Sequence, residues 1–181
     1  MRLYTFALSF LYLTSVLSAT TPVANLVFSN PQEVSGISFV VNNSAAAEAY
    51  TELANKGQLD CRYIPSGKYG YFRVDDALIL PTDSKLIVDI TYFDSGNYNF
   101  SFQYNATSNK YKPISITKTN SNTWITISRT GLTDAAFANL QNNQSDFRFS
   151  GEAYIRQITI TKSALDPTKE PVPVTSGSSY S

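Results

Sequence analysis

From Asn97 to Asn105 the chain alternates without a break. Tyr98, Phe100, Phe102 and Tyr104 fall on one parity, and Asn97, Asn99, Ser101, Gln103 and Asn105 on the other. Successive side chains of a β-strand point to opposite faces, so the run predicts a strand with one aromatic face and one polar face. Similar patterns recur along the chain. Gly36 to Val41 and Leu59 to Ile64 are short apolar runs, and in Tyr69 to Val74 Phe72 and Val74 oppose Tyr71 and Arg73. Leu86, Val88, Ile90 and Tyr92 share a face that excludes Asp89 and Thr91. Asp94-Ser95-Gly96-Asn97 supplies turn chemistry that returns the chain into the aromatic strand. Ile114 with Ile116, Ile125 with Ile127, and Phe147 with Phe149 mark three more strands. Ile155 and Ile158 are out of phase by one residue, which predicts a bulge at Arg156-Gln157. Many short strands divided by turn residues predict an all-β fold, an antiparallel β-sandwich of jelly-roll type.

Two segments read differently. Ser44 to Lys56 is rich in helix formers, but the all-β setting predicts a strand from about Ala49 and a hairpin at Asn55-Lys56-Gly57. Thr133 to Leu140 predicts one short helical turn, with Thr133 as cap and Asp134 near the positive end of the helix dipole.

The ends change the picture. Arg2, the apolar stretch Leu3 to Leu13 and the small residues near Ser18-Ala19 have the form of an export signal, so residues 1–19 are read as a removed leader. That stretch is too short for a bilayer of about 30 Å, which argues against membrane insertion. Residues 20–163 form the expected β-sandwich domain, and the Pro/Ser/Thr-rich residues 164–181 a flexible tail. Four acceptor sequons, at Asn42, Asn99, Asn105 and Asn143, fit an exported glycoprotein, and Asn99 and Asn105 lie on the polar face of their strand. A secreted, extracellular or cell-wall-associated protein is expected.

Charge and composition then remove whole chemistries. The chain has 14 basic and 14 acidic residues, and losing Arg2 leaves a net charge of −1, which offers nucleic acid no electrostatic attraction. The absence of histidine removes Ser-His-Asp and Cys-His catalysis and His-ligated zinc. Cys61 stands alone and shares parity with Leu59 and Tyr63, which favours a buried, inert thiol over an intermolecular bridge.

Carboxylates and aromatic rings remain. A glycosidase needs two carboxyl groups roughly 5–9 Å apart across a cleft. Asp75 and Asp76 are neighbours that point to opposite faces in a strand, and nothing selects Asp75 with Asp89 or Asp94 instead. Asp75, Asp76, Asp94 and Asp134 offer hard oxygen ligands to calcium but lack EF-hand spacing; capping of turns is the other use of such acids. No further cofactor is implied. Sugars present flat apolar faces on which aromatic rings stack. Tyr98 and Tyr104 share parity with core phenylalanines, whereas Tyr69 and Tyr71 share parity with Arg73 and are the candidates for an exposed platform. Arg62 and Arg73 are candidates to bind sugar hydroxyls or carboxylates. Trp124, opposite in parity to Ile125 and Ile127, covers an end of the core or is exposed.

From Tyr69 to Lys162 the chain resembles a non-catalytic β-sandwich module attached to secreted polysaccharide-degrading enzymes. The matching text is Tyr-Gly-Tyr-Phe-Arg-Val-Asp-Asp (69–76), Val-Asp-Ile-Thr-Tyr-Phe-Asp-Ser-Gly (88–96), Phe-Ser-Phe-Gln-Tyr (100–104), Asn-Thr-Trp (122–124), the block 132–142 and Asp-Phe-Arg-Phe (146–149). The resemblance implies a galactose-binding-type jelly roll, similar to carbohydrate-binding modules. It carries over no ligand contact, because the matched residues look structural. The expected function is lectin-like binding of carbohydrate or cell-wall polysaccharide without catalysis. The alternatives are a structural or adhesive extracellular glycoprotein, and a carboxylate-based glycosidase.

Overall fold

The computed structural model describes residues 22–40, 46–79 and 85–162. The leader at 1–19, the tail at 164–181 and the sequon at Asn42 lie outside the described residues. Among the described residues there are twelve strands: β1 (Pro22–Val27), β2 (Glu33–Ser35), β3 (Ile37–Val40), β4 (Glu52–Lys56), β5 (Leu59–Ile64), β6 (Tyr69–Val74), β7 (Leu86–Phe93), β8 (Phe100–Tyr104), β9 (Lys112–Ile116), β10 (Trp124–Leu132), β11 (Phe147–Ser150) and β12 (Ala153–Lys162). They form two antiparallel sheets packed as a jelly-roll sandwich, the architecture that the sequence predicts. The seven-stranded sheet runs β10-β7-β12-β1-β2, with β5 and its partner β4 also joined to β12. The five-stranded sheet runs β3-β6-β11-β8-β9.

The core has an aromatic half and an aliphatic half. Phe72, Phe100, Phe102, Phe147 and Phe149 line the inner face of the five-stranded sheet, and Phe72 stacks on Phe147 at 5.0 Å. Leu86, Val88, Ile90, Ile155, Ile158 and Ile160 line the inner face of the other sheet. The bulge is where the phase shift places it: Ile155 pairs with Tyr92 and Gln157 with Thr91, leaving Arg156 as the extra residue. That insertion lets Ile155 and Ile158 both face the core. Cys61 is fully buried, and burial pushes its thiol up to about 11. Gly36 lies where the chain leaves one sheet for the other. Its φ is +72°, and a Cβ there would lie 2.2 Å from Leu78 Cδ1.

Four expectations need correction. Asp94 to Asn97 do not turn the chain back beside its own strand, because β7 and β8 belong to different sheets. The turn carries the chain across the sandwich. Tyr98 is 76% exposed, because the strand begins only at Phe100 and its parity does not reach that far back. Residues 133–140 are not helical. Their amides are taken by distant acceptors: Ala136 N–H donates to Asn105 O, Ala138 N–H to Asn105 Oδ1 and Asn139 N–H to Asp146 Oδ1. Phe137 and Asn139 also adopt positive φ. Among the described residues the single short helical turn is at Asn142–Gln144. Finally, Asn105 is fully buried, with its Oδ1 accepting the Ala138 amide at 3.0 Å. The strand ends at Tyr104, and the loop beyond it turns the asparagine inward.

Of the segment 44–56, Ser44 and Ala45 lie outside the described residues, and the strand begins at Glu52 rather than at Ala49, which makes only an isolated bridge to Tyr69; β4 and β5 then form the expected hairpin, turning at Gly57. Among the described residues, no helix is long and apolar enough to cross a membrane.

Candidate functional site

The outer face of the five-stranded sheet carries a compact aromatic and polar cluster. On β6, Tyr69 and Tyr71 point outward, with ring centroids 6.0 Å apart. On the neighbouring β11, Arg148 lies between inward Phe147 and Phe149, and strand pairing sets it opposite Tyr71 and Gln103. Its guanidinium is sandwiched, 3.9 Å from the Tyr69 ring centroid and 4.1 Å from that of Tyr111. Arg148 Nε donates to Gln103 Oε1 at 2.6 Å, and Nη1 donates to the Tyr71 hydroxyl oxygen at 2.7 Å. The Tyr71 hydroxyl donates to Glu48, which is also 3.3 Å from Arg148 Nη1. Asn142, in the short helical turn, exchanges hydrogen bonds with Tyr111: its amide donates at 3.1 Å and its Oδ1 accepts the tyrosine proton at 2.7 Å.

Flat cation–ring sandwiches hold the side chains without large entropy losses still to come on binding. Tyr71 is fully buried beneath this network. Burial, reinforced by the bond to Glu48, pushes its phenol up to about 12, against the opposing effect of Arg148. Tyr71 therefore stays a neutral hydrogen-bonding group across the physiological range. Glu48 and Asn142 are exposed, and Tyr69 and Tyr111 are half-buried.

Tyr69 and Tyr71 are thus brought together, but Tyr71 is buried, so the expected exposed pair of tyrosines is not found; Tyr69 keeps an accessible ring beside Arg148 and Tyr111. Arg73 stands apart. It lines a cleft of about 410 Å³ with Gly36, Ser38, Asp75 and Asp76. Arg62 belongs to the other sheet, where its guanidinium lies 4.8 Å from the Phe39 ring centroid and Nε donates to Thr51 Oγ1 at 2.7 Å. It covers the edge of the core, and burial lowers its pKa. The inward-outward alternation Phe147-Arg148-Phe149 could have singled out Arg148. Tyr111, Glu48 and Asn142 come from turns and carry no such signal.

The four aspartates are scattered. Asp94 is fully buried and accepts from Thr119 N–H, Thr119 Oγ1 and Ser121 N–H. Asp134 pairs with Lys112 at 2.5 Å and accepts from the Tyr104 hydroxyl at 2.8 Å. Asp75 caps the Ala77 amide at 2.9 Å, and Asp76 accepts from Asn139 Nδ2. Among the described residues no group of three or more acidic or cysteine side chains could hold a metal ion, so the calcium expectation gains no assembled cluster. Asp75 follows β6, while Asp89 lies on β7 of the opposite sheet, on its outer face.

Asn99 and Asn143 are exposed, and Asn105 is not. When the chain is expressed through a eukaryotic secretory pathway, peptide mass spectrometry of the folded product is expected to find glycan on Asn99 and Asn143 and a bare Asn105. A glycan on Asn105 in folded material would contradict the buried amide.

No family model and no curated protein matches the chain. Among solved structures, it is similar to a carbohydrate-binding module from Cellvibrio mixtus lichenase 5A in complex with cellotriose. The two share 16% identity over 79% of this chain and 99% of that one, with a TM-score of 0.35. A likeness at this level assigns no ligand.

Proposed function

We propose that the chain is a secreted, non-catalytic module that binds carbohydrate, a cell-wall or matrix polysaccharide, on the outer face of the five-stranded sheet. One observation carries this reading: the Tyr69–Arg148–Tyr111 sandwich on an exposed sheet face, rimmed by Glu48, Gln103 and Asn142. Aromatic rings offer stacking surface to the C–H face of a sugar, and the carboxylate and carboxamides offer hydroxyl partners at its edge. Because these groups hold one another in place, little ordering cost is left for binding. The aspartates considered for calcium are bonded within the protein, so binding is expected to survive chelation.

The sequon at Asn143 adjoins Asn142 and hence the rim of this surface, so glycan there narrows access. The test is a glycan array run with the glycosylated chain, with Asn143→Gln, and with Tyr111→Ala, each with and without a chelator. Binding to a defined polysaccharide is expected, weakened at least tenfold by Tyr111→Ala, which corresponds to about 1.4 kcal/mol. A blank array for both the glycosylated chain and Asn143→Gln would reject this reading in favour of a structural or adhesive glycoprotein.

A further inference from the structure

A second cleft lies far from the tyrosine–arginine surface, on the seven-stranded sheet. It exists because one edge of β12 is shared: residues 157–161 pair with β1, and residues 153–155 pair with β5. The two partners part at the bulge, and Arg156 ties them together. Its Nη1 donates to Asp60 O at 2.8 Å and to Phe28 O at 3.4 Å, while its own carbonyl accepts the Phe28 amide at 2.8 Å. Between the loop after β1 and the β4–β5 hairpin this fork leaves a notch of about 480 Å³. That size is ordinary for a small-molecule site.

The lining has a definite chemistry. Asn30, Gln32 and Asn55 contribute carboxamides, and Asp60 is the single charged side chain. Asp60 Oδ1 accepts from Asn55 Nδ2 at 3.0 Å, and no donor among the described residues reaches its Oδ2. Leu53 on β4 is 80% exposed at the mouth, a large apolar group left in water. Among the described lining residues the one charge is a carboxylate, and the Arg156 guanidinium behind them is engaged with the Phe28 and Asp60 carbonyls, so the notch favours neutral over anionic ligands. Carboxamides both donate and accept, which matches hydroxyl groups that do the same. Leucine suits the apolar C–H face of a ring.

We infer that the notch between the β1–β2 loop and the β4–β5 hairpin is a separate binding site for a neutral saccharide of one or two sugar units. The carboxylate of Asp60 takes sugar hydroxyl protons, Asn30 and Asn55 hold the flanking hydroxyls, and Leu53 covers the ring. The site stands whether or not the tyrosine–arginine surface binds, since the two lie on different sheets.

The experiment is an amide-resolved NMR titration of the isotope-labelled chain with cellobiose, maltose, N,N′-diacetylchitobiose and methyl mannoside at millimolar concentration. At least one probe is expected to shift the amides of Leu53, Asn55 and Asp60 together. Asp60→Asn, at a half-exposed position, is expected to weaken that response at least tenfold. Leu53→Ala, at a position too exposed to unfold the domain, is expected to weaken it severalfold. Tyr111→Ala should leave it unchanged. Shifts confined to Tyr69, Tyr111 and Arg148, no shift with any probe, or a response indifferent to both notch substitutions would each overturn the site.

Discussion

Phe147→Ala is expected to lower folding stability by about 4 kcal/mol. The ring is fully buried, with centroids 5.0 Å from Phe72, 5.4 Å from Phe102 and 6.0 Å from Phe137. Lost transfer free energy alone accounts for about 1.5–3 kcal/mol. The rest comes from the cavity, because the surrounding rings sit on hydrogen-bonded strands and cannot move in to fill it. Domains of this size are stable by about 5–15 kcal/mol, so the loss takes a large share of the total. In urea denaturation the midpoint should fall while the slope is unchanged. A loss under about 1.5 kcal/mol would mean that the aromatic half of the core repacks freely.

Asp94→Asn is expected to cost about 3 kcal/mol, although the side chain keeps its shape. Every bond that reaches the carboxylate is a donor: Thr119 N–H at 2.9 Å, Thr119 Oγ1 at 2.5 Å and Ser121 N–H at 2.9 Å. An amide must turn its NH2 toward one of these donors, leaving a buried N–H without a partner. The same residue governs the acid limb of stability. Burial alone would raise the Asp94 pKa, but the bonds from Thr119 and Ser121 outweigh it and hold the carboxyl well below the usual range. A folded pKa below the unfolded value of about 3.9 contributes stability above that pH and loses it as pH falls further. Asp134 acts in the same direction, its burial outweighed by the bonds from Lys112 and Tyr104. Asp146 opposes them: burial raises its pKa, so its protonation favours the folded state as acid is added. Urea midpoints from pH 7 to pH 3 should therefore fall less steeply for Asp94→Asn than for the unchanged chain. Parallel curves would show that Asp94 carries no such linkage.

Period-two alternation made the interior legible. Phe72, Phe102 and Phe149 and the bulge at Arg156 all follow from parity within a strand. Parity fails where a strand stops, and its two failures bracket β8: Tyr98 just before it and Asn105 just after. The loop 133–140 was misread because its local propensity is helical, while its amides are claimed by Asn105 and Asp146 from elsewhere in the chain. Asp94 reads as turn chemistry, yet it is an anchor whose partners lie some 25 residues away. The candidate site was half legible for the same reason. Tyr69 lies on a strand and follows the alternation, whereas Glu48, Tyr111 and Asn142 meet only through long-range folding.

The placement of β12 also sets an order of events in time. Among the described residues this strand lies farthest along the chain, and β7, β1 and β5 all pair with it. Asn25, near the start of the chain, bonds to Thr159, 134 residues later. The seven-stranded sheet therefore cannot close before β12 is made; β1, already beside β2, and β5, already beside β4, wait for it, and such distant pairing is slow. Asn105 waits too, since the segment that covers it spans residues 136–146. During that interval the sequon is an open acceptor, and a sugar attached there would be too large to bury. In a chain made through a secretory pathway, the delay before residues 136–146 cover Asn105 is thus the interval in which a glycan there would keep that chain from folding.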